Sequence, residues 1–125
     1  MPKKWPNSEV PGLVDRIYIR VLERGKDDSG LITYGSALER GEQSVRDTVR
    51  LIALSEEHTN RFITPHNARE AVGICYRHIL ARDADSGGLN TYVHVFETEG
   101  IDNVINDLIN SEEYANRFGD DGVPS

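Results

Sequence analysis

Apolar residues recur at intervals of three and four along most of the chain, the spacing of one face of an amphipathic helix. No segment alternates apolar and polar residues for long enough to predict a strand. The pattern therefore predicts an all-α fold. The two longest stripes run over Leu13–Leu22 and Ala71–Leu80, and shorter ones over Leu31–Leu38, Val45–Ala53, Leu89–Phe96 and Val104–Ile109.

Helix boundaries are predicted from capping residues and glycines. Ser44 followed by Asp47 resembles a capping box, and Gly41 and Gly100 are expected to end helices. The first helix should stop near Gly25. At the seam between the halves, two alternatives stay open: Thr64 capping with Pro65 in the first turn, or Asn67 capping with Glu70. The other predicted N-caps are Ser8, Asp27 or Asp28, Ser55, Asp85 or Ser86, and Ser111.

The second half of the chain repeats the first. Ser55-Glu56-Glu57 and Asn60-Arg61-Phe62 recur as Ser111-Glu112-Glu113 and Asn116-Arg117-Phe118. We expect one compact multi-helix domain over residues 1–125, built from similar repeats at about 13–62 and 68–118, with a non-helical tail at 119–125. Earlier in each repeat, Tyr18, Leu22, Arg24, Asp27, Gly30, Leu31, Thr33 and Tyr34 recur as Tyr76, Leu80, Arg82, Asp85, Gly88, Leu89, Thr91 and Tyr92.

Composition narrows the function classes. The net charge of −7 argues against nucleic acid and anionic lipid as partners. No apolar run is long enough for a transmembrane segment. Cys75 is the only cysteine, so no internal disulfide is expected, which fits a reducing compartment. Repeated helical units usually form a scaffold with a binding surface, so an enzyme is not expected.

Residues that could carry chemistry have structural explanations. Asp83 opens a loop like that of an EF-hand, but His94 stands where the bidentate Glu should be, so no metal or other cofactor is expected. His78 follows Cys75 by one helical turn; we interpret Cys75 as a buried structural thiol. The pairs Glu56-Glu57 and Glu112-Glu113 follow capping serines, where the helix dipole favours negative charge. Arg24 and Arg82 end long helices, and we interpret both as structural residues rather than as substrate-binding residues.

The last stretch, Ser111–Pro124, reads SEEYANRFGDDGVP and closely resembles the end of the phycobilisome linker domain, which typically reads S-[DE]-E-Y, then F-G-[ED]-D-x-V-P. Arg77–Arg82 resembles the family's K-H-L-L-G-R. The resemblance covers nearly the whole chain. Further pieces in the family's order are Trp5 with Ser8–Val10, Gly41–Glu42, Ser44–Arg46, Val49–Arg50, Ser55–Glu56 and Arg61–Phe62.

The resemblance implies a non-enzymatic linker that binds inside ring-shaped phycobiliprotein trimers or hexamers, of phycocyanin or allophycocyanin, and organises the rods or core of the antenna. It implies a cytoplasmic location at the periphery of the thylakoid membrane. Two alternatives stay open: a related helical interaction module in a non-pigment assembly, and a calcium-dependent module using Asp83–Asp85 and Asp120–Asp121. Self-association also stays open.

If the linker interpretation holds, we expect exposed arginines and the termini to contact the partner, because Arg and Trp concentrate binding energy at interfaces. The candidate partner-binding residues are Trp5, Arg46, Arg50, Arg77 and Arg117.

Overall fold

A computed structural model describes residues 1–125, and it contains helices and connecting turns without strands. A short 3₁₀ turn at Asn7–Glu9 leads into the first helix. The eight α-helices are α1 (Val10–Leu22), α2 (Asp28–Arg40), α3 (Val45–Ala53), α4 (Glu56–His58), α5 (Ala68–Cys75), α6 (Ser86–Glu99), α7 (Ile101–Ile109) and α8 (Glu112–Arg117). The all-α prediction is confirmed.

Two π-helical turns continue helices beyond their α-helical part. Thr59–Ile63 extends α4, and Tyr76–Leu80 extends α5. With that extension, the helix that begins at Ala68 reaches Leu80 and carries its apolar stripe as far as the sequence predicted. The residues after Arg117 form turns and an extended tail, so residues 119–125 are non-helical as expected.

The core is one cluster of 24 buried residues, and α1, α3, α5 with its π turn, and α7 pack against one another around it. Both halves of the chain contribute to this cluster, which makes the molecule a single domain. In the first half of the chain α2 packs on α1, and in the second half α6 packs on α5 and α7. In α2 Leu38 is fully buried, whereas α6 has no fully buried residue.

Matched residues of the two halves make matched contacts. The carboxylates of Asp27 and Asp85 each accept a hydrogen bond from a glycine amide, Gly30 and Gly88, at 2.6 Å. A Cβ at either glycine would collide with a tyrosine hydroxyl of the preceding long helix, Tyr18 or Tyr76. This close approach explains why glycine recurs there. The division into two repeats as structural units stays a prediction.

Most capping predictions are confirmed. Ser44 and Asp47 form a reciprocal capping box, and Gly41 ends α2 at a φ of 68°. At the seam, Asn67 and Glu70 form the cap, because the chain through Thr64 is still completing the turn after α4. The remaining side-chain caps are Asp27, Ser55, Asp85 and Ser111.

Two boundary predictions are wrong. Ser8 does not cap the first helix; it lies inside the 3₁₀ turn, and α1 has no side-chain cap. Pro11 lies in the first turn of α1 and has no amide hydrogen, so no capping acceptor is needed at that position. The first helix ends at Leu22 rather than near Gly25, because Glu23 adopts a left-handed conformation with φ of 55°.

The end of the long helix in the second half shows the same left-handed conformation at Ala81, with φ of 54°. A Cβ in this region costs about 1 kcal/mol. We expect Ala81→Gly to raise the free energy of unfolding by about 0.5–1 kcal/mol, measured by urea denaturation. The control is Ala115→Gly inside α8, which should lower it by a similar amount. Equal losses in both variants would contradict the strain assigned to Ala81.

Candidate partner-binding surface

Two arginine–glutamate contacts join the ends of the long helices to short helices later in the same half: the end of α1 to α4, and the end of the helix that begins with α5 to α8. Arg24 donates from Nε and Nη2 to the two carboxylate oxygens of Glu57, each at 2.8 Å. Arg82 donates to Glu113 in the same way, also at 2.8 Å. Bidentate pairing of this kind fixes the orientation of both side chains. The guanidinium hydrogen bonds lower the pKa of Glu57 and of Glu113 to about 2.

Arg61 and Arg117 complete these clusters from the other side. Arg61 donates from one nitrogen to the Leu22 carbonyl at 2.7 Å and to Glu57 at 2.8 Å. Arg117 does the same with the Leu80 carbonyl and Glu113. The carbonyls at a helix C-terminus have no partner within the helix, so these donors satisfy them. Arg117, predicted as a partner contact, is therefore engaged in holding the fold.

Arg46 is largely buried, with 20% of its side chain exposed, contrary to the expectation of an exposed arginine. It lies in α3 and donates from Nε and Nη2 to the Ile109 carbonyl at 3.0 and 2.6 Å. Its guanidinium carbon lies 5.1 Å from the centre of the Tyr114 ring. Its backbone amide donates to the Asp120 carbonyl at 3.1 Å. Arg46 therefore links α3 to the end of α7 and to the tail.

Arg50 lies one turn further along α3 and faces the same helix. Its two terminal nitrogens donate to the side-chain oxygens of Asn106 and Asn110, each at 2.8 Å. The side chain is half-buried. Arg46 and Arg50 together therefore fasten α3 to α7 through neutral acceptors, and Arg46 also lies 3.6 Å from a carboxylate oxygen of Asp120.

Arg77 has a more exposed side chain than Arg46 or Arg117, two of the other predicted arginines. Its side chain is 53% exposed, and its nearest carboxylate, on Asp83, lies 4.0 Å away. It borders an open groove of about 440 Å³ between α5 and the start of α6. The guanidinium is thus available to a partner.

Trp5 is half-buried in the N-terminal arm, which we define as residues 1–6. Its backbone amide donates to the Leu38 carbonyl of α2 at 3.1 Å, and the Lys3 ammonium lies 3.9 Å from the centre of its ring. The indole nitrogen is buried without a hydrogen-bond partner. The five predicted residues are spread over several elements: Arg46 and Arg50 share α3, and Trp5, Arg77 and Arg117 lie on others.

The C-terminal tail returns to α1. Arg20 donates from Nε to the carbonyl of Pro124 at 2.9 Å, and Pro124 is buried. Beside it, an open groove of about 530 Å³ is lined by Arg16, Ile19 and Val123 among others, and Ile19 is 53% exposed. The residues of the C-terminal motif thus pack onto the first helix and leave an apolar side chain exposed beside them.

Comparison with known proteins identifies the family to which this chain belongs. The family model described as Phycobilisome Linker polypeptide matches residues 5–125. The chain belongs to the phycobilisome linker polypeptide family. The match includes Trp5 at one end and the Pro124 tail at the other, so it covers every candidate partner-binding residue.

Curated relatives of this linker-family chain are similar over most of its length. It is 30% identical over 98% of its residues to a 31.8 kDa phycoerythrin-associated rod linker polypeptide of Microchaete diplosiphon. It is 32% identical over 93% of its residues to a 32.1 kDa phycocyanin-associated rod linker polypeptide of Synechocystis sp., and 32% identical over 94% to the phycobiliprotein ApcE of Microchaete diplosiphon. The chain spans 46%, 44% and 11% of those three relatives, respectively.

The linker-family chain also contains a buried histidine pair that sequence reasoning missed. His58 Nε2 lies 2.8 Å from His78 Nδ1, and His78 Nε2 lies 2.7 Å from a carboxylate oxygen of Glu23. Both rings contact Phe62. His58 stands at the position matched by Tyr114 in the other half, so the departure from the repeat was the available signal. Cys75 is buried, which raises its pKa to about 12, and His78 pairs with His58 instead.

Burial without a charged partner lowers the pKa of His58 to about 4. Burial also lowers the pKa of His78, although the hydrogen bond to Glu23 opposes that shift. Arg61, Arg77 and Arg20 add positive charge nearby and act in the same direction as burial. The pair is therefore neutral near pH 7, and its inner nitrogen, His58 Nδ1, has no hydrogen-bond partner.

The loop that resembles the opening of an EF-hand serves as a helix cap, since Asp85 accepts from the Gly88 amide. No group of three or more His, Cys, Asp or Glu side chains lies close enough together to hold a metal ion. None of the helices has the length and apolar character needed to cross a membrane.

The histidine pair predicts a pH dependence of stability. His58 titrates near 6.5 when unfolded and near 4 when folded, so the unfolded chain binds its proton first as the pH falls. Stability should therefore be complete above pH 6.5 and decline towards pH 4, by about 3 kcal/mol. Urea denaturation at half-unit pH steps measures it. His58→Phe should flatten this slope and His94→Asn, an exposed control, should not; a flat wild-type profile would contradict the burial argument.

Proposed function

We propose that this chain is a non-enzymatic linker domain that binds in the central cavity of phycobiliprotein hexamers and organises phycobilisome rods or core. The observation that carries the proposal is the family match over residues 5–125. The two rod linkers named above are described as associated with phycoerythrin or phycocyanin, which supports a phycobiliprotein as the partner; phycocyanin and allophycocyanin are the rings proposed. The same proposal places the chain in the cytoplasm, at the periphery of the thylakoid membrane.

The absence of catalysis is part of the proposal and rests on how the reactive groups are used. Glu57 and Glu113 are held as carboxylates by two arginines each. Cys75 is buried, and its raised pKa keeps it a thiol. A general acid, base or nucleophile must reach a substrate, and these three groups instead support the packing.

Trp5, Arg46, Arg50, Arg77 and Arg117 remain the proposed partner-binding residues, with different roles. Arg77 is proposed to bind the partner through its exposed guanidinium. Arg46, Arg50 and Arg117 already donate to carbonyl or amide oxygens within the domain, so they are proposed to position the surface and to offer only their outer edges. Trp5 is proposed to act through the exposed part of its ring.

The alternative, a related helical interaction module in a non-pigment assembly, is favoured by one observation. Residues 83–116 include no Lys or Arg, and the net charge of the whole chain is −7. Like charges slow association and oppose it, so an acidic phycobiliprotein would have to approach this domain by its less acidic face. Arg77 lies outside residues 83–116, so a phycobiliprotein that contacts Arg77 could avoid the acidic segment.

Sedimentation velocity of the domain mixed with phycocyanin or allophycocyanin trimers tests the proposal. We expect a larger, defined complex with at least one ring at low salt, weakened at moderate salt because the contact includes Arg77. Arg77→Glu should weaken association by about tenfold, as expected for loss of an interfacial arginine. Lys26→Glu, which makes the same charge change at another exposed site, should have little effect.

Absence of any complex with either ring would overturn the proposal in favour of the non-pigment alternative. Equal binding by Arg77→Glu and the unmodified chain would leave the ring assignment standing and remove Arg77 from the contact surface.

A further inference from the structure

The N-terminal arm covers a site on α2 that has an uncovered counterpart on α6. On α2, Leu38 is fully buried and its carbonyl accepts from the Trp5 amide. A Cβ added at Gly41 would meet the Lys4 side chain at 2.9 Å and the Pro2 carbonyl at 3.0 Å. The arm therefore lies directly against the C-terminal end of α2.

The matching positions in the second half are Phe96 and Gly100, by the same alignment that pairs Tyr34 with Tyr92 and Gly41 with Gly100. Phe96 is half-buried, and a Cβ added at Gly100 would meet no atom within 4 Å. The chain that precedes α5 arrives from the turn after α4 and is capped directly at Asn67. No segment of this chain covers the end of α6 as the arm covers the end of α2.

Several apolar residues at this end of α6 are only partly covered by the domain. Val93, Val95, Phe96 and Ile101 all pack against the core, and each leaves a minor part of its surface exposed. In α2 the corresponding end is closed by the arm. We define the α6 end surface as Val95, Phe96, Gly100 and Ile101, with the exposed acidic residues Glu97, Glu99 and Asp102 around it.

The charge around the α6 end surface indicates what could cover it. Residues 83–116 contain eight Asp and Glu and no Lys or Arg, so no basic side chain of this segment offsets the carboxylates. The arm that covers the matching site carries Lys3 and Lys4 next to Trp5. An aromatic ring would bury the apolar patch, and adjacent lysines would face carboxylates.

We propose that the α6 end surface docks an extended segment of a partner protein with the same chemistry as the arm: an aromatic residue flanked by lysine or arginine. Such a segment lies across the end of α6, its ring against Phe96 and its cations towards Glu99 and Asp102. The proposal concerns residues other than Arg77 and does not require a phycobiliprotein, so it stands or falls separately from the proposed function.

A peptide with the sequence of residues 1–8 is the probe, titrated into the full chain and followed by backbone amide NMR. We expect saturable shifts at Phe96, Gly100 and Ile101, with the amides of Leu38 and Gly41 unchanged. Raising the salt from 50 to 300 mM should weaken binding several-fold. A peptide with Lys3→Glu and Lys4→Glu should bind at least tenfold more weakly.

Paired charge variants of the domain supply the control. Glu99→Lys with Asp102→Lys should weaken peptide binding by about tenfold. Asp28→Lys with Glu56→Lys makes the same net change at exposed acids of the first half and should leave binding within about twofold. Since all four are surface positions, circular dichroism should show that both variants fold.

Three results would overturn the inference: no saturable shift, shifts confined to the α2 site through displacement of the chain's own arm, or equal binding of the two peptides.

Discussion

The paired guanidinium–carboxylate contacts, Arg24 with Glu57 and Arg82 with Glu113, are the constraint on which the rest of the domain depends. Each occurs where a long helix ends in a left-handed residue, so the chain reverses and exposes unpaired carbonyls. The glutamate, held by two arginines, fixes the short helix against that end, and the second arginine of each cluster satisfies a carbonyl. Packing contributes as well, since α4 buries His58 and α8 buries Tyr114.

This use of arginine decides what is left for binding. Arg46, Arg50 and Arg117 each span between elements far apart in sequence and donate to oxygens of the domain itself. A domain that commits its cations to internal acceptors presents a surface rich in carboxylates, and residues 83–116 contain eight Asp and Glu without any Lys or Arg. The exposed Arg77 precedes this acidic segment in the sequence, and the α6 end surface lies within the segment.

Local features were predictable from sequence because they depend on neighbouring residues. The capping box of Ser44 and Asp47 and the helix end at Gly41 follow from side-chain reach and backbone conformation. The choice of Asn67 over Thr64 was not predictable, since it depends on where the turn after α4 finishes. Nor was the pairing of His58 with His78, or of Arg46 with the Ile109 carbonyl, because residues 20 and 63 positions apart meet only through packing of the helices.

A double-mutant cycle at Arg82 and Glu113 tests the central claim most directly. Urea denaturation of Arg82→Met, Glu113→Gln and the double variant gives the coupling free energy between the two side chains. Exposed ion pairs couple by about 0.2–1 kcal/mol; a bidentate pair that positions a helix should couple by more than about 1 kcal/mol. A coupling indistinguishable from zero, with additive losses, would contradict the claim that this contact holds the short helix against the long one.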